Sequence, residues 1–487
     1  MSGFFTGNDY FLTTPAVLLA LFGCGILLID FLHEARHKFM NAVTALLGLG
    51  FTAYQLVRIQ TQMDLQGRTE LPGLHDSLLV DHFAIYFMLV CVSATFVAIL
   101  ISVRYLEIER EHHGEYYALM LFALLGMYFM LTGMDLVTLF IGLETMALSG
   151  YILAGFLRRD KRSNEGAMKY FLLGAFSSGL LAFGFSLLYG ISGSTNLAAI
   201  SQALAQRPPG DVLASLALLT TATGLLFKVA AVPFHQWAPD AYEGAPTSVT
   251  GFLSTAPKAA AFGFLIRIFL AGLFPMHLAW QPMLAMIAVA SMTVGNLAAI
   301  SQNNTKRLFA YSSISHVGYI LLGLVAGNAT GLQGINVYIL VYAFMNLGAF
   351  TVLVALRRAD IIGDEIEDLS GLYYRNPGAA VMMLIFLLAL AGIPPTAGFL
   401  GKYFIFLSLI ESQHYGLAIF ATLYVAVALY YYMRMTAMMF MKEPASDEPL
   451  SMSPGIKIAL GLTLVATLLI GIYPEPVIQL ANAAILR

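Results

Sequence analysis

The sequence predicts an all-α polytopic membrane protein of about fourteen transmembrane helices, and three observations carry that reading. Of 487 residues, 59% are apolar and 11% charged, at a mean hydropathy of +0.77. A soluble globular chain has about 25% charged and about 45–50% apolar residues. Fourteen apolar runs lie between polar breaks, most near or above the roughly 20 residues that cross a hydrocarbon core. Basic residues gather in alternate loops, as orientation in a membrane requires. This composition excludes a soluble enzyme and a disordered scaffold. A net charge of −3 leaves no polybasic surface for nucleic acid.

The runs cover 14–33, 39–60, 78–103, 116–134, 136–157, 166–190, 211–232, 246–272, 281–300, 307–327, 332–356, 377–410, 415–440 and 453–476. The first follows MSGFFTGNDYFLTTP, which lacks the basic start of a signal peptide, so it is expected to be retained. Arg36 and Lys38 follow it, Arg104 and Arg110 follow the third, and Arg158, Arg159, Lys161 and Arg162 follow the fifth. The seventh runs into Val232, Pro233, Phe234 and His235, which predicts a break near its end. Lys306 and Arg307 follow the ninth, Arg357, Arg358 and Arg375 the eleventh, and Arg434 and Lys442 the thirteenth. The twelfth is too long for one straight span and carries Gly392, Ile393, Pro394, Pro395 and Gly398 in its middle, so it reads as a broken helix.

The odd-numbered loops thus hold fifteen basic residues, with Lys169 and Lys457 at helix starts on the same side. The other side has Arg58, Arg68, Arg207, Arg267 and Arg487. The expected arrangement puts the odd loops in the cytoplasm and both termini outside. The paired breaks, FKVAAVPFHQW and LALAGIPPTAGFLGKY, lie five spans apart. Broken helices in corresponding positions suggest two inverted five-helix repeats around a midplane ion site. The expected divisions are 1–115, a three-helix segment; 116–272 and 273–440, the two repeats; and 441–487, a C-terminal helix.

Four charges fall inside the spans. Glu144 lies nine residues after Asp135 and fourteen before Arg158. Lys258 lies twelve after Pro246 and nine before Arg267. Lys402 is eight after Pro394 and nine before Glu411, and Lys228 is seventeen after Asp211 and seven before His235. At 1.5 Å per residue each sits on the order of 10 Å or more from the nearest helix end. A charge at that depth costs about 2.5–3.5 kcal/mol on insertion scales. One such lysine can snorkel or form an inert ion pair. Four, on four helices, two of them broken, point to a working site. Burial favours the neutral form of an amine, and a neighbouring carboxylate restores the charged form. A buried Glu–Lys pair of variable spacing therefore switches proton affinity, which suits a proton pump and a proton-coupled antiporter alike.

The tenth span adds a polar stripe of Tyr311, Ser312, Ser313, Ser315, His316 and Tyr319. His316 is either a helix-to-helix hydrogen-bonding group or a relay position, since imidazole accepts and releases protons at separate nitrogens. His235, with Asp240 and Glu243 close behind, reads equally as a relay group or as part of a re-entrant loop near the surface. Cys24 and Cys91 lie in apolar stretches, too few for a four-ligand iron–sulfur cluster. No G-x-G-x-x-G or P-loop indicates a nucleotide site. Glu107, Glu109, Glu111, His112, His113 and Glu115 could suggest a metal site, but their short loop favours a solvated or subunit-facing segment, so no metal is expected.

Four segments carry a family resemblance: IGLETMALSGYIL (141–153), GLLFKVAAVPFHQWAPDAYEGAPTSVTGFLSTAPKAAAFGFLIR (224–267), NLAAISQNNTKRLFAYSSISHVGY (296–319) and LALAGIPPTAGFLGKYFIF (388–406). They resemble the antiporter-like proton-translocating subunits of respiratory complex I, NADH–quinone oxidoreductase, a family shared with multisubunit cation/proton antiporters. Fourteen spans and GFLGKYFIF look most like the subunit N type, with Lys402 where the M type carries glutamate. The chain ends soon after its last span, whereas the L type would add a long lateral helix. The resemblance implies that Glu144 modulates Lys228, that Lys258 is the central relay with His316 nearby, and that Lys402 faces the exit or the neighbouring subunit. It further implies no cofactor in this chain, with NADH, flavin, iron–sulfur clusters and quinone in partner subunits. Other membrane-arm subunits, including neighbouring antiporter-like ones, are the expected partners, in a bacterial inner membrane. The alternatives are a subunit of a multisubunit cation/proton antiporter and a structural scaffold with inert ion pairs.

Overall fold

The computed structural model describes residues 6–34, 37–357, 363–444 and 452–486. Arg36, Arg358 and Arg487, used above for orientation, lie outside the described residues. Among the described residues thirteen helices are long and apolar enough to cross a membrane. Two shorter ones meet across a break and complete the twelfth of fourteen spans.

In chain order the elements are α1 (Gly7–Ile29), α2 (Phe39–Leu65), β1 (Glu70–Gly73), β2 (Leu78–Asp81), α3 (His82–Glu109), α4 (Gly114–Thr132), α5 (Leu136–Ala154), α6 (Lys161–Ser192), α7 (Leu197–Ala205), α8 (Val212–Val229), α9 (Trp237–Gly244), α10 (Thr247–Leu253) and α11 (Ala256–Arg267). They continue as α12 (His277–Ile300), α13 (Thr305–Ala326), α14 (Ala329–Leu356), α15 (Leu372–Arg375), α16 (Pro377–Ala391), α17 (Ala397–Glu411), α18 (Tyr415–Met441), α19 (Pro454–Ile472) and α20 (Glu475–Ala483).

Polar residues at the expected breaks act as helix caps, satisfying backbone donors that a helix start leaves unpaired. Asp135 accepts from the Val137 amide at 2.8 Å, Asp211 from Ala214 at 2.9 Å and Asn328 from Gly331 at 2.8 Å. At α1 the cap is Thr6, in a reciprocal capping box with Asp9, so the helix begins well before the expected residue 14. The third span starts later than expected. Asp81 caps α3 through the Ala84 amide, and the apolar residues before it pair as β2 with β1 in an antiparallel hairpin.

The expected break after the seventh span is present: α8 ends at Val229 and α9 resumes at Trp237. The twelfth span breaks between α16 and α17. A third break was not anticipated. The eighth span, expected to run continuously over 246–272, divides at Ser254 and Thr255 into α10 and α11, with Pro257 in the first turn of α11. Proline fits there because first-turn amides have no intrahelical partner.

The first and last of these breaks share one geometry. Ala230 (φ 60°) and Gly392 (φ 86°) take left-handed conformations directly after α8 and α16. The Ala230 amide donates to Phe227 O at 3.0 Å and that of Ala231 to Leu226 O at 2.9 Å. The Gly392 amide donates to Ala389 O at 2.9 Å and that of Ile393 to Leu388 O at 3.0 Å. Both are the paired carbonyl cap that closes a helix C-terminus. The peptide bonds Val232–Pro233 and Pro394–Pro395 are cis.

Burial separates centre from periphery. The windows within Thr247–Gly272 and Thr305–Ala326 are 94% buried, against 28% within Gly7–Leu32 and Tyr415–Met441. The central elements α10, α11 and α13 are those that carry Lys258 and His316.

Candidate functional site

At one end of the site Glu144 lies half-buried on α5, and Ser178 of α6 donates to its Oε1 at 2.5 Å. Lys228 occupies the last turn of α8, where the partial negative charge of a helix C-terminus suits a cation. Its Nζ donates to the Tyr151 hydroxyl at 3.2 Å, with the Tyr151 ring centroid 5.6 Å away. Glu144 and Lys228 make no direct ion pair; each is held by its own hydroxyl. Tyr151 follows Glu144 by seven residues, two turns along α5, so both face the same side. Gly174 makes room for it, since a Cβ there would lie 2.1 Å from the Tyr151 hydroxyl.

Lys258 sits in the first turn of α11, directly after the unanticipated break, and is 4% exposed. Its Nζ donates to Ser313 Oγ on α13. Asn346 of α14 spans the break, donating to Ser254 Oγ at 2.7 Å. One residue before Ser313, Ser312 shares a hydrogen bond with the hydroxyl of Tyr432 on α18. That hydroxyl also meets His316 Nε2 at 3.3 Å, while His316 Nδ1 meets the Tyr338 hydroxyl of α14 at 2.7 Å. The imidazole is thus bracketed by two hydroxyls, one ring nitrogen donating and the other accepting in its neutral form.

Lys402 of α17 is 3% exposed and turns back to the other half of its broken span. It donates to Ala391 O at 2.7 Å and Leu390 O at 3.0 Å. The Tyr319 ring, one turn along α13 from His316, lies 5.1 Å from its Nζ. Lys258, Ser313, Ser312, Tyr432, His316 and Tyr338 therefore form a buried polar file, and Tyr319 leads from it towards Lys402.

His235 stands apart. It is half-buried in the turn between α8 and α9, and its Nδ1 is buried with no hydrogen-bond partner. The Glu107–Glu115 segment has other engagements: His112 meets the Tyr117 hydroxyl at 2.9 Å, His113 meets Glu111 at 3.2 Å, and Glu109 pairs with Arg357 at 2.6 Å. Among the described residues no three His, Cys, Asp or Glu side chains group to hold a metal ion.

Two basic residues counted as loop charges are buried instead. Arg267 is 1% exposed and grips both carboxylate oxygens of Asp81 at 2.9 Å. Lys306 pairs with Asp364 at 3.1 Å and donates to Ala245 O. A carboxylate from a distant part of the chain neutralises each charge, an arrangement that chain position alone does not reveal. Sequence reasoning also passed over Tyr151, Ser178, Tyr338 and Tyr432. The two-turn spacing from Glu144 to Tyr151 and the run Tyr430–Tyr432 were readable signals for two of them.

Comparison with known proteins follows the same lines. A family model described as NADH:quinone oxidoreductase/Mrp antiporter, TM, matches residues 133–429. The chain is 58% identical to NADH-quinone oxidoreductase subunit N 2 of Solibacter usitatus, covering 99% of both chains. It is 54% identical to NADH-quinone oxidoreductase subunit N 1 of Koribacter versatilis, over 98% of this chain and 95% of that one. Its structure is similar to a chain of respiratory complex I from Thermus thermophilus with bound aureothin. That match has a TM-score of 0.81 and 32% identity, and covers 96% of this chain and all of the other.

Proposed function

The chain belongs to the NADH:quinone oxidoreductase/Mrp antiporter transmembrane family, and from that membership we propose that it is a proton-translocating, N-type membrane-arm subunit of complex I. The observation that carries the reading is the buried file from Lys258 to His316, with Lys228 and Lys402 at its flanks. Titratable groups at this depth are costly, and here they are spaced by hydroxyls that both accept and donate protons.

In this reading Glu144 sets the proton affinity of Lys228, with Ser178 and Tyr151 holding the two apart until the spacing changes. Lys258 is the central relay, His316 passes protons between Tyr432 and Tyr338, and Lys402 faces the exit or the next subunit. His235 lies off the file and serves the turn that separates α8 from α9. The chain acts as the translocating part of an NADH:quinone oxidoreductase. NADH, flavin, iron–sulfur clusters and quinone belong to partner subunits, and protons are the only cargo here.

We further infer residues 116–272 and 273–440 to be inverted repeats, flanked by 1–115 and 441–487. The matched carbonyl caps at Ala230 and Gly392 support that division. The charge asymmetry of the loops supports both termini lying on the periplasmic side of a bacterial inner membrane.

The second reading is a cation/proton antiporter subunit, which the family description also covers. The 58% identity to a subunit N favours the redox-coupled complex. The test is Lys228→Ala and Glu144→Ala in the intact assembly, purified from native membranes and reconstituted in vesicles. Proton pumping and coupled quinone reduction fall while assembly persists; full pumping in Lys228→Ala overturns the switch. An assembly without flavin or iron–sulfur absorbance that exchanges protons for cations establishes the antiporter.

A further inference from the structure

We propose that the cavity between the β1–β2 hairpin and the α13–α14 turn binds an amine-bearing zwitterionic phospholipid, with its phosphate on Arg267 and its ammonium on Glu70. The site lies away from the proton relay and does not depend on it. Its basis is a buried guanidinium with unused donors, in the wall of a cavity that also holds a carboxylate without a counter-ion.

The cavity measures about 720 Å³, within the roughly 300–1,000 Å³ of small-molecule sites. It lies where the eighth and tenth spans end and α12 and α14 begin, with Phe274, 53% exposed, and Trp280 in its wall. Aromatic side chains at span ends mark the level of lipid headgroups. Leu270, Leu324 and Leu332 make much of the remaining wall apolar. A smaller cavity of about 220 Å³ shares Glu70 and Asp81 with it. A third, of about 150 Å³, shares His82 with the second and follows α3 as far as Ser93, past Leu89, Val90 and Leu340. Eleven residues of helix make that slot about 16 Å long.

Two polar groups define what fits. Arg267, 1% exposed, commits Nη2 to both oxygens of Asp81, but its Nη1 reaches only the Met134 sulfur at 3.6 Å and its Nε has no hydrogen bond. Thioether sulfur is a weak acceptor, and buried donors are almost always paired, so the guanidinium calls for an acceptor oxygen. Glu70 stands directly opposite Asp81 in the hairpin register, and like charges so placed repel. Arg267 neutralises Asp81. Glu70 has no ion pair among the described residues, so its position calls for a cation. An anionic headgroup would suit Arg267 but be repelled by Glu70. A phosphate and an ammonium on one short headgroup answer both, and the slot along α3 takes an acyl chain. Water would satisfy Nε but gains nothing from the leucine walls.

The test uses the intact complex, stripped of lipid in detergent, and two photoreactive lipids with identical chains, a phosphatidylethanolamine and a phosphatidylglycerol. Cross-linked peptides are identified by mass spectrometry. Expected is labelling of 270–281 and 324–332 by the phosphatidylethanolamine, several-fold above the phosphatidylglycerol. Glu70 is exposed, and Glu70→Gln takes no ion pair from the fold. It should abolish the preference with assembly and quinone reduction unchanged. Ala329→Trp, at an exposed position on the cavity wall, fills the space and should remove labelling by both lipids. No labelling of these segments in the wild type, equal labelling by the two lipids, or a preference that survives Glu70→Gln overturns the assignment. Undiminished labelling in an assembled Ala329→Trp complex does so too, and Glu70→Gln alone decides if that variant fails to assemble.

Discussion

Lys402 Nζ donates to the carbonyl of Ala391 at 2.7 Å, so the second half of the twelfth span plugs its ammonium into the C-terminal end of the first half. The last carbonyls of a helix have no intrahelical partner, and the helix end carries partial negative charge. The break therefore builds a cation seat out of backbone alone.

That seat depends on Gly392. Its φ of +86° favours glycine, and a Cβ there would lie 2.7 Å from Lys402 Cδ. Gly392→Ala is expected to cost roughly 1–2 kcal/mol for the left-handed residue alone and to push the lysine off the carbonyls. Thermal unfolding and coupled quinone reduction should both fall. If unfolding drops while turnover holds, the position of Lys402 does not govern activity.

Tyr151→Phe removes the hydroxyl to which Lys228 donates and keeps the aromatic packing, where Tyr151 meets the Tyr170 ring edge-on at 4.5 Å. Coupled activity is expected to fall several-fold in a fully assembled complex. Unaltered pumping would leave Tyr151 as a packing residue.

Much of this was legible beforehand. Apolar runs between polar breaks located the spans because lipid and backbone hydrogen bonding leave a segment few choices. Glu144, Lys228, Lys258 and Lys402 announced themselves because charge is conspicuous in such a chain. Tyr432 and Ser178 did not, since a hydroxyl inside a span is usual and becomes informative only when a distant helix places a histidine or a carboxylate against it. The division at Ser254 and Thr255 was hidden for a similar reason: Asn346, 92 positions on, bridges it. Arg267 and Lys306 were misplaced because their carboxylates come from remote parts of the chain.

The Arg267–Asp81 pair is expected to be a stability element. Removing one partner of a buried pair costs about 3–5 kcal/mol, mainly because the other charge is left uncompensated. Arg267→Met should therefore unfold at a markedly lower temperature. Adding Asp81→Asn, which keeps an oxygen for the Ala84 amide, should restore part of the loss. A double variant no better than the single one would mean that packing around Arg267, rather than its charge, is what counts.

Asp240 gives a prediction in pH. Burial works against its ionised form, but Lys169 at 2.9 Å and Arg307 at 2.7 Å outweigh that and hold its carboxyl below the usual range. A carboxyl lower in the folded than in the unfolded chain stabilises the fold above its unfolded value, about 3.9. It loses that contribution as pH falls through the folded value. Wild type should thus unfold at a higher temperature than Asp240→Asn by a margin that is constant from about pH 5 to 8 and shrinks below about pH 4. The check is a thermal-unfolding series on the two purified complexes across that range. A margin that survives full protonation, or one that grows above neutrality, would show that Asp240 acts through something other than its charge.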